Sequence, residues 1–349
     1  MKKSLFIVAA AALALVSCNN DLTLDENTAL ADSNAQKEIA FAPLAQKAKH
    51  VRSFAPVVGD TFPTLSAMQV AAWDVTNNRD FFEATEFAKD GETWKGGKYW
   101  PLAVDTINFL AYAELNAGSA TWDITADETS QKANGVVLVM ADNKTAQKDL
   151  MYAIGTGGVR QNADNTLTFP GNIAMSFKHA QAWVRFMVKA KDEASNNAVT
   201  LDSIILNGAK YNGTFTVTHT NYDKTSGQSV DGVWSAWGGA ANVKVPGWER
   251  AAIAYAADPS TGVEVGKGLL VVPDNNAESA DFTSFTVHYT LDGKQYSYTY
   301  TPATAAAKNL DKAKKYTFNI TFKLHLIEIA PEVTDWVEGG PTAVQIGGE

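Results

Sequence analysis

Between Tyr316 and Leu326 apolar and polar side chains alternate without a break. Tyr316, Phe318, Ile320, Phe322, Leu324 and Leu326 fall on one face, and Thr317, Asn319, Thr321, Lys323 and His325 on the other. A period of two marks a half-buried antiparallel strand. The stretch 285–291 repeats the pattern, Asp292-Gly293 supplies the positive φ of a tight turn, and 296–301 returns as the second arm of a hairpin. The same criterion gives strands at 68–75, 106–113, 135–140, 177–188, 199–206, 214–219 and 268–272. Turn clusters at Asn77-Asn78, 195–197, Asn212-Gly213 and 274–276 separate them. Helical periodicity is confined to short pieces, the best of them at 304–313. The pattern predicts an all-β chain built of antiparallel β-sandwiches.

At 349 residues the chain has room for two domains. Phe169-Pro-Gly interrupts the strands, which divides the chain into an N-terminal sandwich at 53–170 and a C-terminal sandwich at 171–349. No clean internal repeat relates the halves.

The N-terminus has a different character. Lys2 and Lys3 precede an apolar run over 5–16, about a dozen residues against the ~20 that span a bilayer. Residues 1–17 therefore predict a signal peptide. The tetrapeptide Leu15-Val-Ser-Cys18 resembles the bacterial lipobox, in which the cysteine is joined by a thioether to diacylglycerol and becomes an acylated, palmitate-bearing N-terminus. Cys18 is the only cysteine in the chain, so lipidation also leaves no reactive thiol in an oxidising compartment. Residues 19–36 are polar, with Asp21, Asp25, Glu26 and Asp32 and no aromatic side chain, and predict a tether between lipid and fold. An acidic stretch at this place is similar to surface-export signals of Bacteroidetes lipoproteins.

Charge and chemistry narrow the function. A net charge of −9 argues against a nucleic-acid partner, which needs a clustered cationic surface. The histidines show no metal-ligand spacing, and no nucleophile elbow, phosphate loop or zinc-protease motif is present, so neither enzyme activity nor a metal or cofactor is expected. His179, His288 and His325 read as solvated strand residues. Gly155-Thr-Gly-Gly158 reads as a loop that lacks the strand-then-helix context of a phosphate cradle. Two aromatic groups stand out: Trp94, Tyr99 and Trp100 around Lys95-Gly-Gly-Lys98, and Trp234, Trp237 and Trp248. They suit either the closing of sandwich ends or the stacking of sugar rings. Trp234 and Trp237 are the candidate glycan contacts, and a surface lipoprotein that binds glycans without polymerising is the alternative function.

Several segments, in order along nearly the whole mature chain, resemble the fimbrillin family of Bacteroidetes, the subunits of type V pili. They are Ile39-Ala-Phe-Ala-Pro43, Trp94-Lys-Gly-Gly-Lys-Tyr-Trp-Pro101 leading into Ile107-Asn-Phe-Leu-Ala-Tyr-Ala113, and Asp149-Leu-Met-Tyr-Ala153. Phe177-Lys-His-Ala-Gln-Ala-Trp-Val184, Gly268-Leu-Leu-Val-Val-Pro273 and a tail containing Trp336 complete the set. Gln181 departs from the leucine common in the family after His-Ala.

The resemblance implies two transthyretin-like antiparallel β-sandwich domains in tandem. It also implies export as a lipoprotein to the cell outer membrane and then to a fimbrium. There an arginine- or lysine-specific protease, trypsin-like or gingipain-like, removes the N-terminal segment with its lipid and first strand. The C-terminal strand of another pilin subunit fills the groove that opens, and the polymer supports adhesion to host or microbial surfaces. Carried onto this chain, 18–52 is the lipidated tether and first strand, with Ile39 and Phe41 as the plugs that leave. Arg52–Ser53 is the bond to be cut. Trp336, Val337, Val344 and Ile346 anchor the donor strand.

Overall fold

The computed structural model describes residues 37–44, 67–77, 79–103, 105–115, 124–126, 136–140, 142–190, 199–217, 232–253, 262–274, 280–304, 308–323, 326–335 and 344–345. These residues form strands and turns, with no α-helix among them. Among the described residues, eleven strands lie before Ala180: β1 (Glu38–Leu44), β2 (Ala67–Asp74), β3 (Arg79–Asp90), β4 (Thr93–Tyr99), β5 (Asp105–Leu115), β6 (Ile124–Ala126), β7 (Val136–Met140), β8 (Asp149–Gln161), β9 (Leu167–Thr168), β10 (Ile173–Ser176) and β11 (Lys178–His179). The remainder are β12 (Ala182–Ala190), β13 (Val199–Ala209), β14 (Gly213–Val217), β15 (Val233–Ser235), β16 (Ala241–Lys244), β17 (Ala251–Ala252), β18 (Val263–Glu264), β19 (Leu269–Val271), β20 (Ser284–Leu291), β21 (Lys294–Tyr300), β22 (Lys314–Lys323), β23 (Leu326–Asp335) and β24 (Val344–Gln345).

The first sheet runs β10-β1-β4-β3-β2-β5-β8-β11, with β9 attached to β8. It curls so that β10 also lies against β8. Its inner face packs Ile39, Phe41, Phe87, Phe109 and Met175 into one core. The second sandwich faces β18-β12-β22-β23-β24, with β19 beside β12, against β16-β13-β20-β21, with β17 beside β13. Phe186, Leu206, Phe285 and Phe318 fill the space between the two sheets.

A third core ties the two together. β6 and β7 pair with β14 and β15 in one sheet of order β15-β14-β7-β6, so a hairpin from the second half completes a sheet begun in the first. This sheet covers the outer face of β2, β5 and β8, with Tyr112, Tyr152, Phe215 and Trp234 between. Consequently β8 is buried on both sides. Leu150, Tyr152 and Ile154 enter the shared core, while Met151 and Ala153 enter the first. A strand covered on both faces loses its alternation and reads as a continuous apolar run.

Four expectations are corrected by this arrangement. Gly155 to Gly158 lie within β8 rather than in a loop. A Cβ on Gly155 would come within 2.7 Å of Met175 Sδ, and one on Gly157 would strike Trp100, so the glycines make room for bulky neighbours inside a strand. The chain leaves the first sheet after β11, not at 170/171, because β10 pairs with β1, β11 pairs with β8, and Phe177 packs in the first core. The long alternating strand ends at Lys323, and Leu326 opens β23 as the return arm of a hairpin. Beside β22 on its other edge lies β12, running parallel. Within 304–313 none of the described residues is α-helical: Lys308 is in a 3₁₀ conformation and Lys312-Ala313 form a turn. Leu310 N–H is tied to Asp281 Oδ2 at 2.5 Å, and Ala313 takes a positive φ of 57° that a helix does not allow.

The hairpin at 284–300 is as expected. Asp292 and Gly293 have φ of 50° and 77°, the left-handed pair of a two-residue hairpin turn.

Candidate functional site

The site is the slot that β1 occupies. Ile39 and Phe41 are two apart, so both point to the same face, and both are fully buried. Phe41 meets Phe87 edge-on at 4.9 Å and Phe109 at 5.1 Å. Trp100 in turn meets Phe109 at 5.7 Å. Edge-to-face aromatic pairs add to the burial term, and removing an isoleucine and a phenylalanine from water is worth about 1.5–3 kcal/mol each.

Both edges of β1 are paired. On one side it runs antiparallel to β4, with Glu38 opposite Tyr99, Ala40 opposite Lys95 and Phe41 opposite Trp94. Between the first two pairs β4 bulges at Gly96-Gly97, where Gly97 takes a φ of 66°. The Glu38 carboxylate accepts the Gly97 N–H at 3.1 Å and fixes the bulge. On the other side β1 runs parallel to β10, from Phe41 opposite Ile173 to Leu44 opposite Ser176. The entrance is closed by the Trp100 N–H donated to Lys37 O at 3.0 Å and by Lys37 Nζ donated to Pro170 O at 2.6 Å. Without β1, two sheet edges and an apolar trench would be exposed together, a surface that invites another strand.

The C-terminal segment lies in the second sandwich. β23 forms a complete ladder with β22, from Lys323 opposite Leu326 to Lys314 opposite Asp335. On its far side β24 adds two pairs, Glu332 with Gln345 and Val333 with Val344. Val344 is thus the one expected donor anchor among the described residues. Trp336, Val337 and Ile346 lie outside them, as do Cys18, Arg52 and Ser53.

The tryptophan expectations divide. Trp234 is almost completely buried, its Nε1–H donated to Ala180 O at 2.5 Å and its ring 4.9 Å from Phe215. It belongs to the shared core and presents no face to a sugar. Trp237 is half-buried, donates to Pro273 O at 3.3 Å, and lies under Lys210 Nζ at 5.0 Å. Trp94 and Trp100 are buried in the first core, which leaves only Tyr99 of that group exposed.

His179 is also corrected. It is buried, with Nδ1 2.9 Å from Asp149 Oδ2, because β11 lies against β8 under the junction of the two halves. Gln181 beside it is buried too, its Oε1 accepting the Leu150 N–H at 3.0 Å. No group of three or more His, Cys, Asp or Glu side chains suited to a metal ion occurs among the described residues.

Residue spacing could not reveal two elements of the slot. Phe82 and Phe87 of β3 are five residues apart, which an unbroken strand would put on opposite faces. Register shifts between β2 and β3 bring both into the same core. β10 reaches β1 from about 130 residues away, and local pattern cannot report a partner at that distance.

The family model described as fimbrillin-like matches residues 57–336. Among solved structures, a fimbrial protein from Bacteroides vulgatus is similar at 14% identity, covering 85% of this chain and 99% of that one with a TM-score of 0.52. A proposed cell adhesion protein from Bacteroides uniformis is similar at 13% identity, 87% and 100% coverage and a TM-score of 0.49. The fimbrial anchor protein Mfa2 from Porphyromonas gingivalis is similar at 10% identity, 86% and 98% coverage and a TM-score of 0.40. No curated protein matches.

Proposed function

The chain belongs to the fimbrillin-like family, and from that premise we propose that it is a structural subunit of a type V pilus at the cell surface. It is exported as a lipoprotein acylated at Cys18 and reaches the outer membrane with β1 in its slot. An arginine- or lysine-specific protease cuts at Arg52–Ser53, and the segment carrying the lipid and β1 departs. A strand from the C-terminal region of another copy refills the slot, and the resulting polymer supports adhesion.

The observation that carries this reading is the way β1 is held. It supplies two fully buried side chains to the first core and pairs along both edges. A core built this way is incomplete without a strand in that place, and only another strand can satisfy both open edges and the trench between them. Ion pairs, metals or ordinary surface contacts do not meet that requirement.

The test is a chain with a specific-protease site placed between Leu44 and Ala67. After complete cutting, unheated gels and electron microscopy should reveal ladders and filaments that boiling dissolves. A chain that is fully cut, has lost β1 and remains a folded monomer would overturn the proposal.

A further inference from the structure

β1 and β23 carry the same short pattern. Ile39-Ala-Phe-Ala-Pro43 reads apolar, variable, apolar, Ala, Pro, and so does Ile327-Glu-Ile-Ala-Pro331. We infer that β23 of a second copy of this chain is the strand that occupies the β1 slot, with Ile327 at the place of Ile39 and Ile329 at the place of Phe41. The inference rests on the strand-exchange reading above and names its donor and register.

The proline fixes the phase. Proline has no N–H to give to a ladder and is tolerated where one side of the strand is unpaired. Pro43 lies opposite Met175 of β10, but the ladder with β4 has already ended at Phe41 and Trp94. Pro331 lies opposite Phe318 of β22, and the ladder with β24 begins one residue later at Glu332. In the proposed register Pro331 takes the position of Pro43, where no bond to β4 is required. A shift by two residues towards β4 would put the proline inside the ladder, and a shift by one would turn both isoleucines out of the core.

Charge agrees with the same register. Glu328 now pairs with Lys323 at 2.7 Å. In the slot it would stand at the place of Ala40, directly opposite Lys95. Lys95 is held 2.6 Å from Asp90 on the surface, so the incoming glutamate exchanges one lysine for another.

Burial supplies the direction. Ile39 and Phe41 are fully buried, whereas Ile327 and Ile329 are half-buried at the margin of the second core. β23 has one long ladder and only two pairs on its other side. In the slot it would exchange these ladders for the pairing that β1 now makes with β4 and β10, and both isoleucines would be completely buried. Isoleucine is smaller than Phe41, so β1 is the better plug. That explains why exchange waits until β1 is cut free.

Cysteine cross-linking tests the register. In a Cys18→Ser background with the inserted protease site, one chain carries Lys95→Cys and the other Glu328→Cys, both at surface positions. After cutting and mixing under mild oxidation, the inferred pair should form disulfide-linked dimers about tenfold more than Lys95→Cys mixed with Ala330→Cys, whose partner lies ~7 Å off. Heat-sensitive ladders that cross-link to Lys95→Cys from Val344→Cys or Ile346→Cys, and not from Glu328→Cys, would overturn this inference and leave strand exchange standing. Complete cutting without any ladder would overturn both.

Discussion

Phe41 stands edge-on to Phe109, their ring centroids 5.1 Å apart and their planes at 79°. The contact joins β1 to β5, which lies four strands away in the same sheet, and it makes β1 part of the core it closes.

Truncation of Phe41 should therefore be costly before any cut is made. Phe41→Ala leaves a cavity among Phe87, Phe109 and Ile39 and should lower unfolding stability by about 3–5 kcal/mol, while Ile39→Val should cost about 0.5–1.5 kcal/mol. Urea unfolding of the uncut chain measures both. Equal, small losses would mean that β1 is only loosely seated.

Gly157 offers a test from the opposite wall. A methyl group there would overlap Trp100 and come within 2.7 Å of Ile173 Cδ1. Gly157→Ala should destabilise by about 1–3 kcal/mol through overpacking, and Trp100→Phe in the same chain should recover part of that loss. A double-mutant cycle in thermal unfolding checks the coupling. Additive losses would show that the two sites do not touch.

Trp234 separates a structural tryptophan from a binding one. Its ring lies in the core shared by β2, β5 and β8 with β14 and β15, and its N–H is bonded to Ala180 O. Trp234→Ala should cost about 3–5 kcal/mol, and Trp234→Phe a smaller amount that includes the lost hydrogen bond. Calorimetry measures the stability change, and a glycan array supplies the control. Unchanged stability with selective loss of sugar binding would restore the contact role.

These sites differ in how far the sequence discloses them. The hairpin at 284–300 is legible because its turn residues and both alternating arms are local. Ile39 and Phe41 are legible as a pair on one face, since a spacing of two needs no knowledge of the partner. What faces them is not: β4 reaches them through a glycine bulge, and β10 from across the half. The alternation of the sequence continues from Lys323 to Leu326, although these two residues pair across neighbouring strands, so the pattern alone runs two strands together. His179 reads as polar and solvated until β8 is seen beneath it, carrying Asp149. Burial by a distant segment has no local signature, which is also why the glycines of β8 resemble a loop.

Asp281 should make stability depend on pH in a direction opposite to most carboxylates. It is buried, and burial raises its pKa to about 6, even though both carboxylate oxygens accept N–H groups, from Asp274 and Leu310, each at 2.5 Å. An unfolded aspartate titrates near 3.9. Between these values the folded chain holds a proton that the unfolded chain has released, so stability falls as pH rises through about 6 and is regained on acidification towards about 4. Asp281→Asn cannot titrate, and its amide group can accept only one of the two N–H groups, so it should be less stable than the parent at every pH. The gap should be wider at about pH 4 than at about pH 7, by on the order of 2 kcal/mol, because only the parent gains from protonation there. Urea midpoints for both proteins at each pH measure that difference directly. A gap of constant size would mean that Asp281 stays ionised in the folded chain, held by its two backbone donors despite its burial.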